Sequence, residues 1–202
     1  MNRKKLALTA VVLAMVLCFT SCNLEQTPNK RLVGQWQGTV DITQQLTEVP
    51  GIAESGVTLS GIGFDLIFSF SADGTFAAIV DEYSVQQMVE ELTDIVVEAL
   101  YDTAAQQGIS GDELRRRVEA AINMDEIIAP VRNSFQNGYY VFSKGVIYLS
   151  SRDYLKLDPS RFAQEQMEVE LSKNLLRINK VINNTSQNGA LDDLLPLVMK
   201  KQ

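Results

Sequence analysis

Apolar residues recur along this chain with two different periods. In residues 36–42 and 64–80 they occupy alternate positions, which predicts strands with one buried face. In residues 84–136 they recur instead at the spacing of amphipathic helices, so we expect a helical insertion there. The alternating pattern returns after residue 137. The chain is thus predicted to be mainly β, with helices placed between strands.

Short turns separate neighbouring predicted strands. Asp73-Gly74 and Lys144-Gly145 each lie between two alternating segments and suit the backbone of tight hairpins, and Ser172-Lys173-Asn174 separates a third pair. The pattern predicts about seven or eight antiparallel strands, which could form either a closed barrel or a sandwich. A short C-terminal helix is predicted after the strands, from the spacing of Leu191, Leu194, Leu195 and Val198.

The first 21 residues have the pattern of an export signal. A basic start at residues 3–5 is followed by fourteen mostly apolar residues, 6–19, and then by the small pair Thr20-Ser21. Such a run is too short for a helix to span a bilayer, which takes about 20 residues. Residues 1–21 are therefore predicted to be absent from the mature chain.

This N-terminal pattern, which ends at Cys22, resembles the bacterial lipoprotein signal, although Phe19 stands where leucine is more usual. The resemblance implies cleavage before Cys22 and acylation of that cysteine with chains such as palmitate. The membrane is then a partner through lipid alone. Residues 22–31 become a tether and residues 32–202 the folded domain. We expect the protein in the bacterial cell envelope, at the outer membrane, and the sequence does not decide between the periplasmic and the outer face of that membrane.

Composition excludes several classes of function. The signal holds three of the 18 basic residues and none of the 25 acidic ones, so the mature chain has 15 basic residues and a net charge of −10. Such a chain repels phosphate backbones, and we expect no nucleic-acid partner. It has 0 histidines, and Cys22 is its one remaining cysteine. We therefore predict no enzyme activity of the imidazole or thiol type, and no metal or cofactor.

The start of the first predicted strand carries a short family motif. Gly34-Gln35-Trp36 resembles the Gly-x-Trp signature of lipocalins and of bacterial lipocalin-like lipoproteins, and the run from Phe70 to Phe76 also recurs in such lipoproteins. In that family the tryptophan plugs the closed end of an antiparallel barrel, and an arginine of the last strand packs across its ring. The resemblance implies these roles for Trp36 and Arg177.

A barrel of this size either is filled by its own side chains or holds one small ligand, and both remain open. The candidate ligand-lining residues are Phe64, Phe68, Phe70, Phe76, Tyr139 and Phe142. We expect an envelope-anchored, non-enzymatic binding module that holds a small apolar ligand under the helical insertion. The alternative is an interaction protein whose helices, or the loop at residues 47–62, dock another envelope protein. An exposed apolar stripe on the insertion would favour that alternative.

Overall fold

Eight antiparallel strands of the described residues form one closed barrel, in which each strand pairs with its neighbours in chain order and β8 returns to β1. The computed structural model describes residues 30–48, 52, 56–134, 137–153, 155, 158–183 and 194–202. The strands are β1 (Gly34–Asp41), β2 (Gly63–Phe70), β3 (Thr75–Val80), β4 (Gly138–Ser143), β5 (Val146–Ser150), β6 (Glu165–Leu171), β7 (Leu175–Asn183) and β8 (Leu197–Lys201). The predicted antiparallel barrel is confirmed, and it is compatible with a lipocalin-like barrel.

Helices occupy the connections between strands. Among the described residues they are α1 (Thr43–Thr47), α2 (Glu82–Gln106), α3 (Gly111–Ala121), α4 (Met124–Ser134) and α5 (Pro159–Phe162). The helices α2 to α4 lie between β3 and β4, so the predicted insertion is confirmed with bounds about two residues earlier than expected. The Ser110 side chain accepts a hydrogen bond from the Glu113 amide at 3.3 Å and caps α3 as its sequence predicts.

The two ends of the barrel are connected differently. The hairpin end, as we call it, carries the turns at residues 71–74, 144–145 and 172–174, together with the start of β1 and the end of β8. The opposite end, the helix end, carries the long connections 42–62, 81–137 and 151–164, which hold α1 to α5. Two of the predicted hairpin turns contain a glycine, and both glycines have a positive φ, +90° at Gly74 and +80° at Gly145.

Over Leu197–Lys201 the predicted C-terminal helix is wrong, because this segment is the strand β8 that closes the barrel, whereas Leu191 lies outside the described residues. Its alternate residues Leu197 and Met199 are buried. Without β8, the facing edges of β1 and β7 would keep unpaired backbone groups, and this pairing outweighs the weak helical spacing of a short segment. Gly38 permits the closure, since a Cβ there would lie 2.6 Å from the Val198 carbonyl oxygen.

One apolar core joins the barrel to the insertion. The inward residues of the strands form a single buried cluster with residues of α2, α3 and α4, among them Met88, Leu92, Leu114 and Ile128. Surface ion pairs add links within the insertion, because Arg115 of α3 pairs with Asp94 of α2. The insertion therefore completes its core on the barrel and does not form one of its own.

Candidate functional site

The hairpin end is closed by Trp36, which is fully buried. Its indole nitrogen donates a hydrogen bond of 2.7 Å to the Leu32 carbonyl oxygen. The Lys201 ammonium lies 5.2 Å from the centre of the Trp36 ring and also donates to the Arg31 carbonyl oxygen at 3.0 Å. Trp36 and Lys201 are direct cross-strand neighbours on β1 and β8. The residues that precede β1 are thus held against this end of the barrel.

The predicted stacking of Arg177 on Trp36 is wrong. Arg177 is exposed on β7, between the buried residues Leu176 and Ile178, so its side chain points away from the barrel interior. Its guanidinium Nε donates instead to the Asn179 side chain at 3.0 Å. A cation of the last strand does cover the tryptophan ring, but the last strand is β8 and the cation is Lys201.

Aromatic side chains fill the interior next to this closed end. Phe68, Phe70 and Phe76 are buried there, and Phe64 is buried towards the other end of β2, all on the inner face that the alternation predicted. The rings of Phe68 and Phe76 lie 5.2 Å apart and those of Phe70 and Phe76 5.0 Å apart. These separations place the rings in direct contact, so they act first as packing.

The structure divides the β4 candidates between the two faces of the sheet. Tyr139 packs in a second cluster with Val141 and Leu155, outside the main core, so the prediction that it lines the interior is wrong. Its neighbour Tyr140 takes the inner position, with its ring 5.0 Å from that of Phe70. Phe142, on the same face as Tyr140, packs against the main core. The two candidates are three positions apart, so a regular strand could not have placed both of them on its inner face.

The Tyr140 side chain is hydrogen-bonded and buried at the hairpin end. Its hydroxyl donates a hydrogen bond of 2.9 Å to the Ser71 carbonyl oxygen. Burial raises the pKa of Tyr140 to about 12, and the negative charge of Asp73 acts in the same direction. The phenol therefore remains protonated and serves as a hydrogen-bonded packing residue.

At the helix end, sequence reasoning missed a buried carboxyl group. Glu165 is the first residue of β6 and is only 3% exposed. It shares the inner face with Met167 and lies opposite Leu149 of β5 in the strand register. Its Oε1 atom has no hydrogen-bond partner among the described residues. Burial raises the pKa of Glu165 to about 8. The alternation from Glu165 to Val169 was the available signal, because it puts the glutamate in phase with two apolar residues.

Two more buried polar atoms lack partners within the part of the chain that the structure describes. They are Oε1 of Gln45, on α1, and Oγ1 of Thr93, on α2. Both helices belong to connections at the helix end, the end at which β6 begins. Unsatisfied buried polar groups are uncommon in folded proteins and call for an explanation in each case. Here they all come from elements of one end of the barrel.

Comparison of the chain with protein-family models, with curated proteins and with solved structures finds no match. Within the described ranges, no three acidic or cysteine side chains come together as a metal site would need. None of the helices described is both long and apolar enough to cross a membrane. Cys22 and residues 22–29 of the predicted tether lie outside the described residues.

Proposed function

We propose that this protein is a lipid-anchored, non-enzymatic binding module of the bacterial cell envelope, whose lipocalin-like barrel holds a small apolar molecule beneath α2 to α4. The observation that carries the proposal is the contrast between the barrel's ends. Trp36 and Lys201 close one end with hydrogen-bonded side chains, whereas the elements at the other end include the helices and carry buried polar atoms without partners among the described residues. Ligand sites of small barrels commonly lie at such a covered mouth.

The course of the chain supports an orientation for this module. Arg31 and Leu32 contact the hairpin end, so a tether of residues 22–31 would join the barrel at that end. Ten residues span at most about 35 Å, which keeps the barrel near the membrane. The helix end then faces the aqueous compartment, from which a ligand would enter.

Binding of an apolar fluorescent probe tests the proposal. The mature domain, residues 22–202 with Cys22→Ser, should bind N-phenyl-1-naphthylamine with a one-to-one stoichiometry and enhanced fluorescence. Met167→Trp places a larger side chain in the interior, and we expect it to weaken probe binding about tenfold, a change of about 1.4 kcal/mol. Glu168→Trp on the outer face of the same strand is the matched control and should bind normally.

Circular dichroism must show both variants folded, because overpacking a core costs about 1–3 kcal/mol of stability. A folded wild-type domain without any probe binding would mean a filled barrel and would contradict the proposal. Lipid anchoring has a separate readout. Cys22→Ser in the full chain should move the protein out of the membrane fraction, and an unchanged membrane fraction and mature mass would contradict the anchor.

The alternative, a scaffold that docks another envelope protein through its helices, has less support. The apolar stripe of α2, which includes Val85, Met88, Leu92 and Val96, is buried in the common core. Tyr83 and Tyr101 are exposed on α2, but one lies near each end of this 25-residue helix. Two separated tyrosines do not make the contiguous apolar patch that marks a docking surface.

A further inference from the structure

The position of Glu165 is unusual for the strand that carries it. β6 alternates buried and exposed residues, and its other glutamates, Glu168 and Glu170, are exposed on the outer face. Glu170 accepts a hydrogen bond from the Asn179 side chain at 2.9 Å. Glu165 instead points inward, in phase with Met167 and Val169, both of which are buried. An apolar residue at position 165 would satisfy the fold.

Keeping a carboxyl group in this place opposes folding. A buried acceptor without a hydrogen bond loses its hydration with nothing in return. Burial alone raises the pKa of Glu165, with no contribution from a neighbouring charge. The ion pairs of the described residues, all in the helical insertion, do not include Glu165. Among the described residues, neither packing nor a polar partner explains this carboxyl group, and a bound ligand would supply the missing donor.

We propose that Glu165 is the polar anchor of the ligand site, and that the barrel takes an apolar molecule carrying a primary amine. The inference rests on the binding function proposed above and specifies the ligand for it. An ammonium group supplies the donors that Oε1 lacks and a charge that favours the ionised carboxylate in a medium of low dielectric constant. The hydrocarbon part then contacts the apolar inner face that Leu149 and Met167 share with Glu165.

Other head groups satisfy the site less well. An alcohol can donate one hydrogen bond to Oε1 but cannot neutralise a carboxylate. Above the raised pKa of Glu165, a fatty carboxylate carries the same charge as the ionised side chain and has no donor for it, so it should be rejected. The order of affinity expected is therefore amine, then alcohol, then carboxylate, at equal chain length.

Isothermal titration of octylamine, octanol and octanoate into the mature domain with Cys22→Ser tests this order, because the three probes differ in the head group alone. At pH 9, where the free carboxyl of Glu165 is ionised and octylamine is still protonated, and at physiological salt, we expect octylamine to bind at least about tenfold more tightly than octanoate. Glu165→Gln keeps the size of the side chain and removes its ability to ionise. It should abolish the preference for the amine while octanol still binds.

The matched control is Glu168→Gln, which removes the same charge from the exposed face of the same strand. It should leave the amine preference unchanged, so a general attraction of cations to this acidic protein is separated from binding at Glu165. Glu165→Met provides a second variant if the glutamine variant does not fold, and thermal melting checks both.

The outcomes separate this inference from the proposed function. Equal affinity for amine and carboxylate, or a Glu165→Gln variant that retains the preference, would contradict the role of Glu165 as the polar anchor of the ligand. Neither result would contradict the proposed binding function. If none of the three probes binds the folded wild-type domain, both the anchor and the proposed function are wrong. Loss of the amine preference in the Glu168→Gln control would also contradict the role of Glu165, since surface charge would then account for the preference.

Discussion

The hairpin end and the helix end of the barrel treat their buried polar groups in opposite ways. At the hairpin end the indole of Trp36 and the hydroxyl of Tyr140 each donate to a backbone carbonyl. At the helix end, polar atoms of Gln45, Thr93 and Glu165 are buried without a partner among the described residues. The difference indicates that one end is organised for stability, whereas the other retains hydrogen-bonding capacity that folding does not use.

The lengths of the connections account for part of this difference. Tight hairpins bring few polar side chains of their own, so the hairpin end is satisfied by local contacts. Long connections at the helix end must cover the opening with helices, and their side chains meet the barrel interior from outside. We therefore expect substitutions at the two ends to have distinguishable effects, on stability at the hairpin end and on the proposed binding at the helix end.

Removing the Trp36 side chain, which closes the hairpin end, should have the largest effect on stability. Trp36→Ala should lower the free energy of unfolding by about 3–5 kcal/mol, the range for deleting a buried aromatic side chain. Urea denaturation followed by circular dichroism measures the change. A loss below about 1 kcal/mol would mean that Trp36 does not close the barrel. Tyr83→Ala, on the exposed surface of α2, is the control and should change stability little.

At the helix end, the expected effect of a substitution has the opposite sign. The pKa of Glu165 is raised from 4.5 to about 8, so between these values the folded state binds more protons than the unfolded state. The free energy of unfolding should therefore fall as the pH rises through this window, by up to about 1.4 kcal/mol per pH unit. Glu165→Gln should remove this dependence and stabilise the protein at pH 8.

Denaturation of both proteins at pH 5, 6, 7 and 8 checks the prediction. Glu168→Gln should follow the wild type, because that glutamate is exposed. If the wild type and Glu165→Gln show parallel pH profiles, the carboxyl of Glu165 does not have its pKa raised by burial in solution, and the contrast between the two ends weakens.

The smallest effect is expected for the cation over Trp36. Lys201→Met keeps most of the apolar stem and removes the charge, so it should cost about 0.5–1 kcal/mol, as for an exposed cation–π contact. Arg177→Met should cost less, because that side chain lies on the outer face. Thermal melts of both variants compare them directly. A larger loss for Arg177→Met would restore the role that the sequence motif implied for it.

Most of the fold was predictable because it depends on local pattern. Alternation placed the phenylalanines of β2 and β3 inside, turn chemistry located the hairpins, and helical spacing located the insertion between β3 and β4. The site was less predictable. Tyr139 and Tyr140 are adjacent, and sequence alone did not decide which of them faces the interior. Glu165 was overlooked because a glutamate next to exposed glutamates of the same strand has the pattern of surface charge.

The sequence by itself determined the mainly β class, the hairpin turns and the helical insertion, since each follows from the spacing of apolar residues or from turn-forming residues within a few positions. The tertiary structure decided how the barrel closes. β8 became a strand because β1 and β7 offered it two edges, and Lys201 reached Trp36 through a pairing of residues far apart in the chain. The tertiary structure also decided the burial and the pKa of Glu165. The pKa of a group depends on its surroundings, and the apolar neighbours of Glu165 on β5 and β6 come together only when these strands pair in the folded barrel.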